Sequence, residues 1–338
     1  MRPVFDVAGK PQALRSEFQA RAPWWGGHLQ TLRDQFCAIG PLAADAILCV
    51  AAADGSDDQL LVAINRALPD RAVQPLSVLL IHGLTGHQDS AQIVLFTAYL
   101  TAQGYNVARM NMRGAGPSRE TCEGHYHAGF YADLEPLTAA VSSYFGGADA
   151  VLALGVSLGG SVLLNYMAKN ATGVAAAVTV STPINLAASA ERLIQPRNAF
   201  YHRWLLAEMK RGVVAGKARV SQAERQAIKS ARTVVQFDDR FIASRFGFEG
   251  ARDYYAQCSA AGQLTHIQKP SLLIFAENDP WIPARDYHTI DWQKLASVEA
   301  LITASGGHVG FHGQGHKAPW SIRAAEQFFK RVIGADRP

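Results

Sequence analysis

The sequence predicts an α/β protein in which a mostly parallel sheet carries helices on both faces. Short apolar runs alternate with intervals of helical length, and most of these runs are apolar at nearly every position, as strands buried on both faces are. The chain has 338 residues, of which 49% are hydrophobic and 18% charged. This is enough for one large domain with a sizeable core, and it excludes wholesale disorder.

Eight runs have the length and composition of strands. The first two, 46–52 and 59–65, flank the polar turn ADGSDD and are predicted to pair antiparallel. The other six runs are 76–81, 105–112, 149–155, 173–180, 270–276 and 297–303. Helices are predicted at about 89–103, 132–145 and 158–170, with a closing helix near 319–333.

The segment 184–266 interrupts this alternation. It is rich in helix formers and contains one strand-like run, TVVQF, so it predicts a helical cap inserted into a core of residues 1–183 and 267–338. Between Glu191 and Arg232 the excess of Lys and Arg over Glu is +7, whereas the whole chain carries +4. We expect this basic segment to attract anionic esters or to contact an anionic membrane surface.

Composition also narrows the class of protein. The net charge is too small for nucleic-acid binding, which would need a concentrated basic face. Widely spaced cysteines predict reduced thiols and a cytoplasmic location rather than disulfides or structural zinc. The N-terminus lacks the apolar core of a signal peptide, and the apolar region 151–164 is too short to span a bilayer. The four cysteines are Cys37, Cys49, Cys122 and Cys258.

The motif with the clearest chemistry is Gly155-Val156-Ser157-Leu158-Gly159. The pattern G-x-S-x-G is weak alone, but here it lies between a predicted buried strand and a predicted helix. In that position the serine occupies a tight turn that exposes its hydroxyl, and the glycines leave room for the turn. We interpret Ser157 as a nucleophile; an idle serine in a glycine-rich turn is the alternative.

A serine nucleophile needs backbone N–H groups where the substrate carbonyl oxygen becomes negative. Leu158, which follows the serine, is expected to supply one N–H group. Leu84, in the His82-Gly83-Leu84 loop after the third predicted strand, is expected to supply the other. Without Ser157, we would interpret this loop as a tight turn with His82 as a packing residue.

The acid and the base are expected after later strands, because the carboxyl ends of parallel strands meet at one edge of the sheet. Asp279 follows the run 270–276; Glu277 is the second choice, and a turn-forming Asp-Pro pair is the alternative. His308 follows the last strand, and the chain order serine, aspartate, histidine is that of α/β-hydrolases. Cys122 would be a nucleophile only if Ser157 were not.

His308 is one of three histidines spaced by four, in ASGGHVGFHGQGH. Spacing by four places metal ligands on one face only in a helix, and the five interleaved glycines disfavour a helix. We therefore expect no metal site here, and the serine chemistry proposed above needs no cofactor. His312 and His316 receive no role, and His125 and His127 are expected to lie near the reacting groups without taking part.

From about Pro23 to the closing helix, the chain resembles the YheT-like family of α/β-hydrolases. The resemblance is carried by 23–31 (PWWGGHLQT), 82–84 (HGL), 111–114 (NMRG), 155–159, 237–239 (FDD), 279–280 (DP) and 306–311 (GGHVGF). It implies a triad of Ser157, Asp279 and His308 and hydrolysis of carboxylic esters of short or medium acyl chains, without a cofactor. It makes Asp238 and Asp239 structural, as residues that seat the cap.

Small departures from the family pattern are Thr85, where an acidic residue is common, and Asn278 and Trp281 around Asp279. None of these three departures removes a member of the triad. Two alternatives stay open beside the esterase. One is an acyltransferase that passes the acyl group from the same serine to an alcohol. The other is a catalytically idle protein of this fold that only binds a ligand.

Overall fold

The computed structural model describes residues 14–16, 18–37, 39–146, 150–169 and 171–335. Within these ranges nine strands form one sheet in the order β1-β9-β8-β7-β6-β4-β5-β3-β2. β3 runs antiparallel to both of its neighbours, and every other pair is parallel. The strands are β1 (Leu14–Ser16), β2 (Ala46–Ala51), β3 (Gln59–Asn65), β4 (Val78–Ile81), β5 (Val107–Met110), β6 (Val151–Val156), β7 (Val174–Val180), β8 (Ser271–Ala276) and β9 (Val298–Thr303).

The predicted fold class is confirmed, because each of the eight predicted strands has a counterpart among β2 to β9. The short strand β1, which extends the sheet beside β9, was not predicted. The run TVVQF forms helix rather than strand. Residues 1–13, including the segment examined for a signal peptide, lie outside the described residues, as do parts of the predicted strand 149–155 and helix 158–170.

Helices cover both faces of the sheet. In chain order they are α1 (Gly26–Phe36), α2 (Ala91–Ala102), α3 (Leu134–Tyr144), α4 (Leu158–Met167), α5 (Leu186–Leu193), α6 (Ala199–Gly212), α7 (Gln222–Ser230), α8 (Val234–Phe237), α9 (Ser244–Phe246), α10 (Ala251–Cys258), α11 (Ala284–His288) and α12 (Trp320–Ala335). α3 and α4 pack on one face, and α2 and α12 on the other. β4, β6 and β8 are buried at every residue as a result, which explains their uninterrupted apolar sequences.

The segment between β7 and β8 is helical throughout its main elements, α5 to α10, and its apolar side chains form a cluster of their own. Leu158 at the start of α4 belongs to the same cluster, so the insertion packs on the carboxyl edge of the sheet. Arg192 donates hydrogen bonds to the carbonyl oxygens of Asp279 and Pro280, each at 3.1 Å. Asn198 donates to the Pro280 carbonyl at 2.8 Å. The division into core and cap remains our interpretation of this arrangement.

Within the described ranges, none of the helices combines the length and the apolar character that crossing a membrane requires.

A buried ionic cluster fixes the loop that follows β5. The Arg113 guanidinium donates two hydrogen bonds to Asp133, at 2.7 and 3.1 Å, and further bonds to Asp54 at 2.6 Å and Asp58 at 3.2 Å. These carboxylates raise the pKa of Arg113 above its ordinary value, against the effect of burial. The cluster joins the β2–β3 turn to the loop between β5 and α3, which forms one wall of the candidate site.

Arg113→Met is expected to lower the free energy of unfolding by about 3 to 5 kcal/mol, because it leaves buried carboxylates without their cation. The measurement is urea unfolding followed by circular dichroism. Arg71→Met is the matched control, since Arg71 pairs with Asp70 where both side chains are exposed, and its loss should cost less than about 1 kcal/mol. Equal effects of the two substitutions would contradict the structural role of the cluster.

Candidate functional site

Ser157 lies in a sharp turn between β6 and α4, with φ of +52° and ψ of −122°. This conformation is strained for a side chain other than glycine and is held by close packing of the backbone. A Cβ atom on Gly155 would lie 2.6 Å from the Gly159 carbonyl oxygen, and one on Gly159 would lie 2.3 Å from the His82 carbonyl oxygen. Both glycines are therefore required by space, and the turn lies directly against the end of β4.

The structure brings the three predicted side chains together. Ser157 Oγ lies 2.9 Å from His308 Nε2, and His308 Nδ1 lies 2.8 Å from Asp279 Oδ2. Asp279 is fully buried, and its Oδ1 accepts the backbone N–H groups of Trp281 at 2.7 Å and Ile282 at 3.0 Å. When His308 donates its Nδ1–H to Asp279 Oδ2, it presents the Nε2 lone pair to the serine hydroxyl.

The glycine-rich loop after β9 is held by side chains from three other segments. Asn278 Oδ1 accepts the N–H groups of Gly306 at 3.1 Å and Gly307 at 3.0 Å. Thr31 Oγ1 accepts the His308 N–H at 2.8 Å, and Ser181 Oγ accepts the next N–H along the chain at 2.9 Å. These bonds fix the backbone on both sides of the imidazole.

The amide of Leu84 is oriented by the neighbouring histidine. His82 Nε2 accepts the Met112 N–H at 3.1 Å, so the ring proton resides on Nδ1 and is donated to the Gly83 carbonyl oxygen at 2.8 Å. Burial lowers the His82 pKa to about 4, which keeps this arrangement neutral. Since N–H and C=O point in opposite directions across a trans peptide, the Leu84 N–H is directed away from His82.

The Thr85 amide is already engaged, because it donates to the Tyr126 hydroxyl at 2.9 Å. Leu158 is the first residue of α4, and its N–H therefore has no acceptor within the helix. Leu84 and Leu158 both line the cavity at Ser157. The geometry is compatible with the two donors that the sequence predicts.

Ser157 and His308 lie where two spaces meet. One is a narrow cavity of about 150 Å³ beneath the insertion, with walls that are mostly apolar. The other is a wider groove of about 490 Å³, whose outer wall includes three exposed aromatic side chains. These are Phe36, Phe200 and Trp204, with 68%, 72% and 40% of their surfaces exposed. An ester bound at Ser157 therefore has room for apolar groups on both sides of the reacting carbonyl.

Two aromatic residues of the site were not given a role by the sequence. Trp281 stacks on the His308 imidazole with ring centroids 4.2 Å apart, and Tyr201 of α6 packs edge-on against Trp281. Tyr201 in turn stacks on His28 of α1 and bonds to its Nδ1 at 3.1 Å. His28 stands in the family-like stretch 23–31, which was the available signal, whereas Trp281 is a departure from the family pattern beside Asp279. Their contacts join segments far apart in the chain.

The remaining candidates separate from the site. Glu277 Oε1 lies 3.1 Å from His288, so Asp279 rather than Glu277 contacts His308. Burial raises the Cys122 pKa, which disfavours its thiolate. Asp239 accepts the Ala251 N–H at the start of α10, in keeping with the structural role expected for it.

The other histidines of the loop are divided between the interior and the surface. His312 is buried with its Nε2 3.4 Å from Asp34, and burial lowers its pKa to about 3. His316 is exposed. In the described part of the chain, no three side chains among His, Cys, Asp and Glu are grouped as metal ligands would be. His125 and His127 line the narrow cavity.

Comparisons with known proteins agree with this architecture. The family model for the alpha/beta hydrolase fold matches residues 77–313. YheT of Escherichia coli is 32% identical over 255 residues, which cover 72% of this chain and 73% of YheT. Phospholipase ABHD3 of Homo sapiens is 29% identical over 295 residues, which cover 85% of this chain and 71% of ABHD3. The structure of an esterase of Pyrococcus furiosus superposes with a TM-score of 0.59 at 16% identity. The superposition covers 95% of this chain and 98% of the esterase.

Asn278→Ala is expected to lower the free energy of unfolding by about 1 to 3 kcal/mol, because the Gly306 and Gly307 amides lose their acceptor. Asn278→Asp is the matched control, since it keeps an acceptor oxygen in the same place. Urea unfolding of both variants is the measurement. If alanine were as stable as asparagine, the loop would not depend on this contact.

Proposed function

Because the chain belongs to the alpha/beta hydrolase family, and within it to the YheT-like group, we propose that it is a serine hydrolase of carboxylic esters. Its relatives and structural neighbours include proteins named as an esterase and a phospholipase. The observation that carries the proposal is the unbroken hydrogen-bonded series from Ser157 through His308 to Asp279, open to two apolar spaces. No cofactor or metal enters the proposed reaction.

The reaction begins when Ser157 Oγ attacks the ester carbonyl carbon and its proton passes to His308 Nε2. Asp279 stabilises the imidazolium through Nδ1–H, and the face of Trp281 adds a favourable contact with the same cation. The N–H groups of Leu84 and Leu158 bind the tetrahedral oxyanion.

As the tetrahedral intermediate collapses, the alcohol leaves with the proton from His308, and an acyl group remains on Ser157. Water then gives up a proton to His308 and attacks the acyl carbon. The carboxylic acid is released, and the proton returns to Ser157.

We propose that the substrates are acyl esters of short or medium chain length. Lipid-derived esters belong to this class. The narrow cavity of about 150 Å³ favours a limited chain on one side, whereas the groove with Phe36, Phe200 and Trp204 accommodates a larger apolar group on the other. A hydrolysis series of esters from two to sixteen acyl carbons measures this preference directly.

Acyl transfer to an alcohol is the second candidate, and the wide groove favours it because an alcohol acceptor could bind there while the acyl group occupies Ser157. The triad is common to both reactions. Product analysis with added ethanol separates them, since a transferase forms the ethyl ester in preference to the free acid.

Contact of the basic insertion with an anionic membrane surface also remains a proposal. The exposed aromatic residues Phe200 and Trp204 lie on the same insertion, next to the basic side chains of α6. Sedimentation with acidic vesicles at low and high salt tests it. Binding that is absent at low salt would exclude this contact.

Ser157→Ala is expected to reduce hydrolysis of p-nitrophenyl butyrate at least about a thousandfold, because the nucleophile is removed. A fluorophosphonate probe should label the natural protein at Ser157 and fail to label the variant. Ser143→Ala, on the exposed face of α3, is the matched control and should retain full activity and labelling. Normal turnover by Ser157→Ala would overturn the assignment, and a protein that reacts with neither reagent would be a binding protein instead.

A further inference from the structure

The narrow cavity beneath the insertion contains a buried carboxyl group that the proposed reaction does not use. Asp238 and Tyr255 are more than nine-tenths buried, and both line the cavity that begins at Ser157 and His308. The Tyr255 hydroxyl donates to Asp238 Oδ2 at 2.6 Å. The nearby lining is largely apolar and includes Leu205, Met209, Val234, Phe237 and Ile242. A carboxyl group in such surroundings is costly unless its hydrogen-bonding capacity is used.

That capacity is only partly used. Among the described residues, the Tyr255 hydroxyl is the one hydrogen-bond partner of the Asp238 side chain, and no cation is paired with it. Oδ1 therefore remains for another group. Burial raises the Asp238 pKa to about 7, so the carboxyl is present in both neutral and ionised forms near neutral pH.

Three other polar atoms of the cavity-lining residues also lack a partner among the described residues. They are His125 Nε2, Ser189 Oγ on α5 and Trp281 Nε1, and all three are buried. The backbone adds an independent sign, because Asp238–Ala243 forms a π-helical turn, and such turns occur frequently at functional sites.

We propose that Asp238 and Tyr255 bind a hydroxyl group carried by the acyl chain, so that the enzyme prefers hydroxyacyl esters to plain acyl esters of equal length. The proposal rests on the proposed function of Ser157. The hydroxyl donates to Oδ1 of the ionised carboxylate or accepts from the protonated carboxyl, so the bond forms in either state.

An acyl chain with an ammonium group fits the same site less well. A buried ammonium ion needs a fully ionised partner to repay its loss of water, and burial of Asp238 favours the neutral carboxyl. A hydroxyl group carries no such cost. Its binding also leaves the apolar lining in contact with the methylene groups on either side.

The test compares kcat/KM for p-nitrophenyl esters of hexanoic and octanoic acids with those of their 3-hydroxy and terminally hydroxylated derivatives. The natural protein should prefer at least one hydroxyacyl ester by about tenfold over its plain counterpart, which is the effect of one buried hydrogen bond to a group of this kind. Tyr255→Phe and Asp238→Leu should bring that ratio close to one.

Asp239→Asn is the matched control, because Asp239 caps α10 and should leave the ratio unchanged. Parallel loss of both activities in Tyr255→Phe would mean that the pair only supports the fold, and this would overturn the proposal. A ratio of one in the natural protein, or a preference for the 6-aminohexanoyl ester, would overturn it too. Hydrolysis of plain esters with labelling of Ser157 would then leave the proposed function intact, whereas a protein without either activity overturns both.

Discussion

The close approach of backbone to backbone at Ser157 is the constraint on which the site depends. Gly159 lies against the His82 carbonyl oxygen, so any side chain there would separate α4 from the end of β4. Strands β4 and β6 are paired in parallel up to Ile81 and Gly155, which places the loop after β4 beside the turn after β6. Leu84 and Leu158 consequently line the same cavity beside the strained Ser157.

A second layer of interactions positions Asp279 and His308. Asn278 precedes Asp279 in the chain and binds the glycine-rich loop that carries His308, so the two turns after β8 and β9 form one hydrogen-bonded unit. α1 contributes Thr31 to the same unit. The site is thus supported by parts of the chain that begin before the first predicted strand and end after the last.

Much of the fold could be predicted because buried parallel strands leave a continuous apolar record in the sequence. The exceptions have physical reasons. β1 has three residues, too few for a pattern, and TVVQF became helical because packing within the insertion outweighs the strand preference of valine. The order of Ser157, Asp279 and His308 followed from strand ends, but Asp238 was expected only to seat the cap. Its exposure to a cavity depends on how helices of the insertion fold over Ser157, which the local sequence does not record.

The contacts of Arg192 and Asn198 couple the insertion to the turn that contains Asp279, so the insertion does not move independently of that turn. Three hydrogen bonds join these side chains to the carbonyl oxygens of Asp279 and Pro280, at the turn after β8. A rigid outward swing of the segment that carries Arg192 and Asn198 would break all three and loosen the turn that contacts the His308 imidazole. A ligand that enters through the groove between α1 and α6 does not require this segment to move. The three hydrogen bonds can therefore stay in place while the site is open. If the whole insertion were exchanged between relatives, the three hydrogen bonds from Arg192 and Asn198 would have to be retained to keep the Asp279 turn in place.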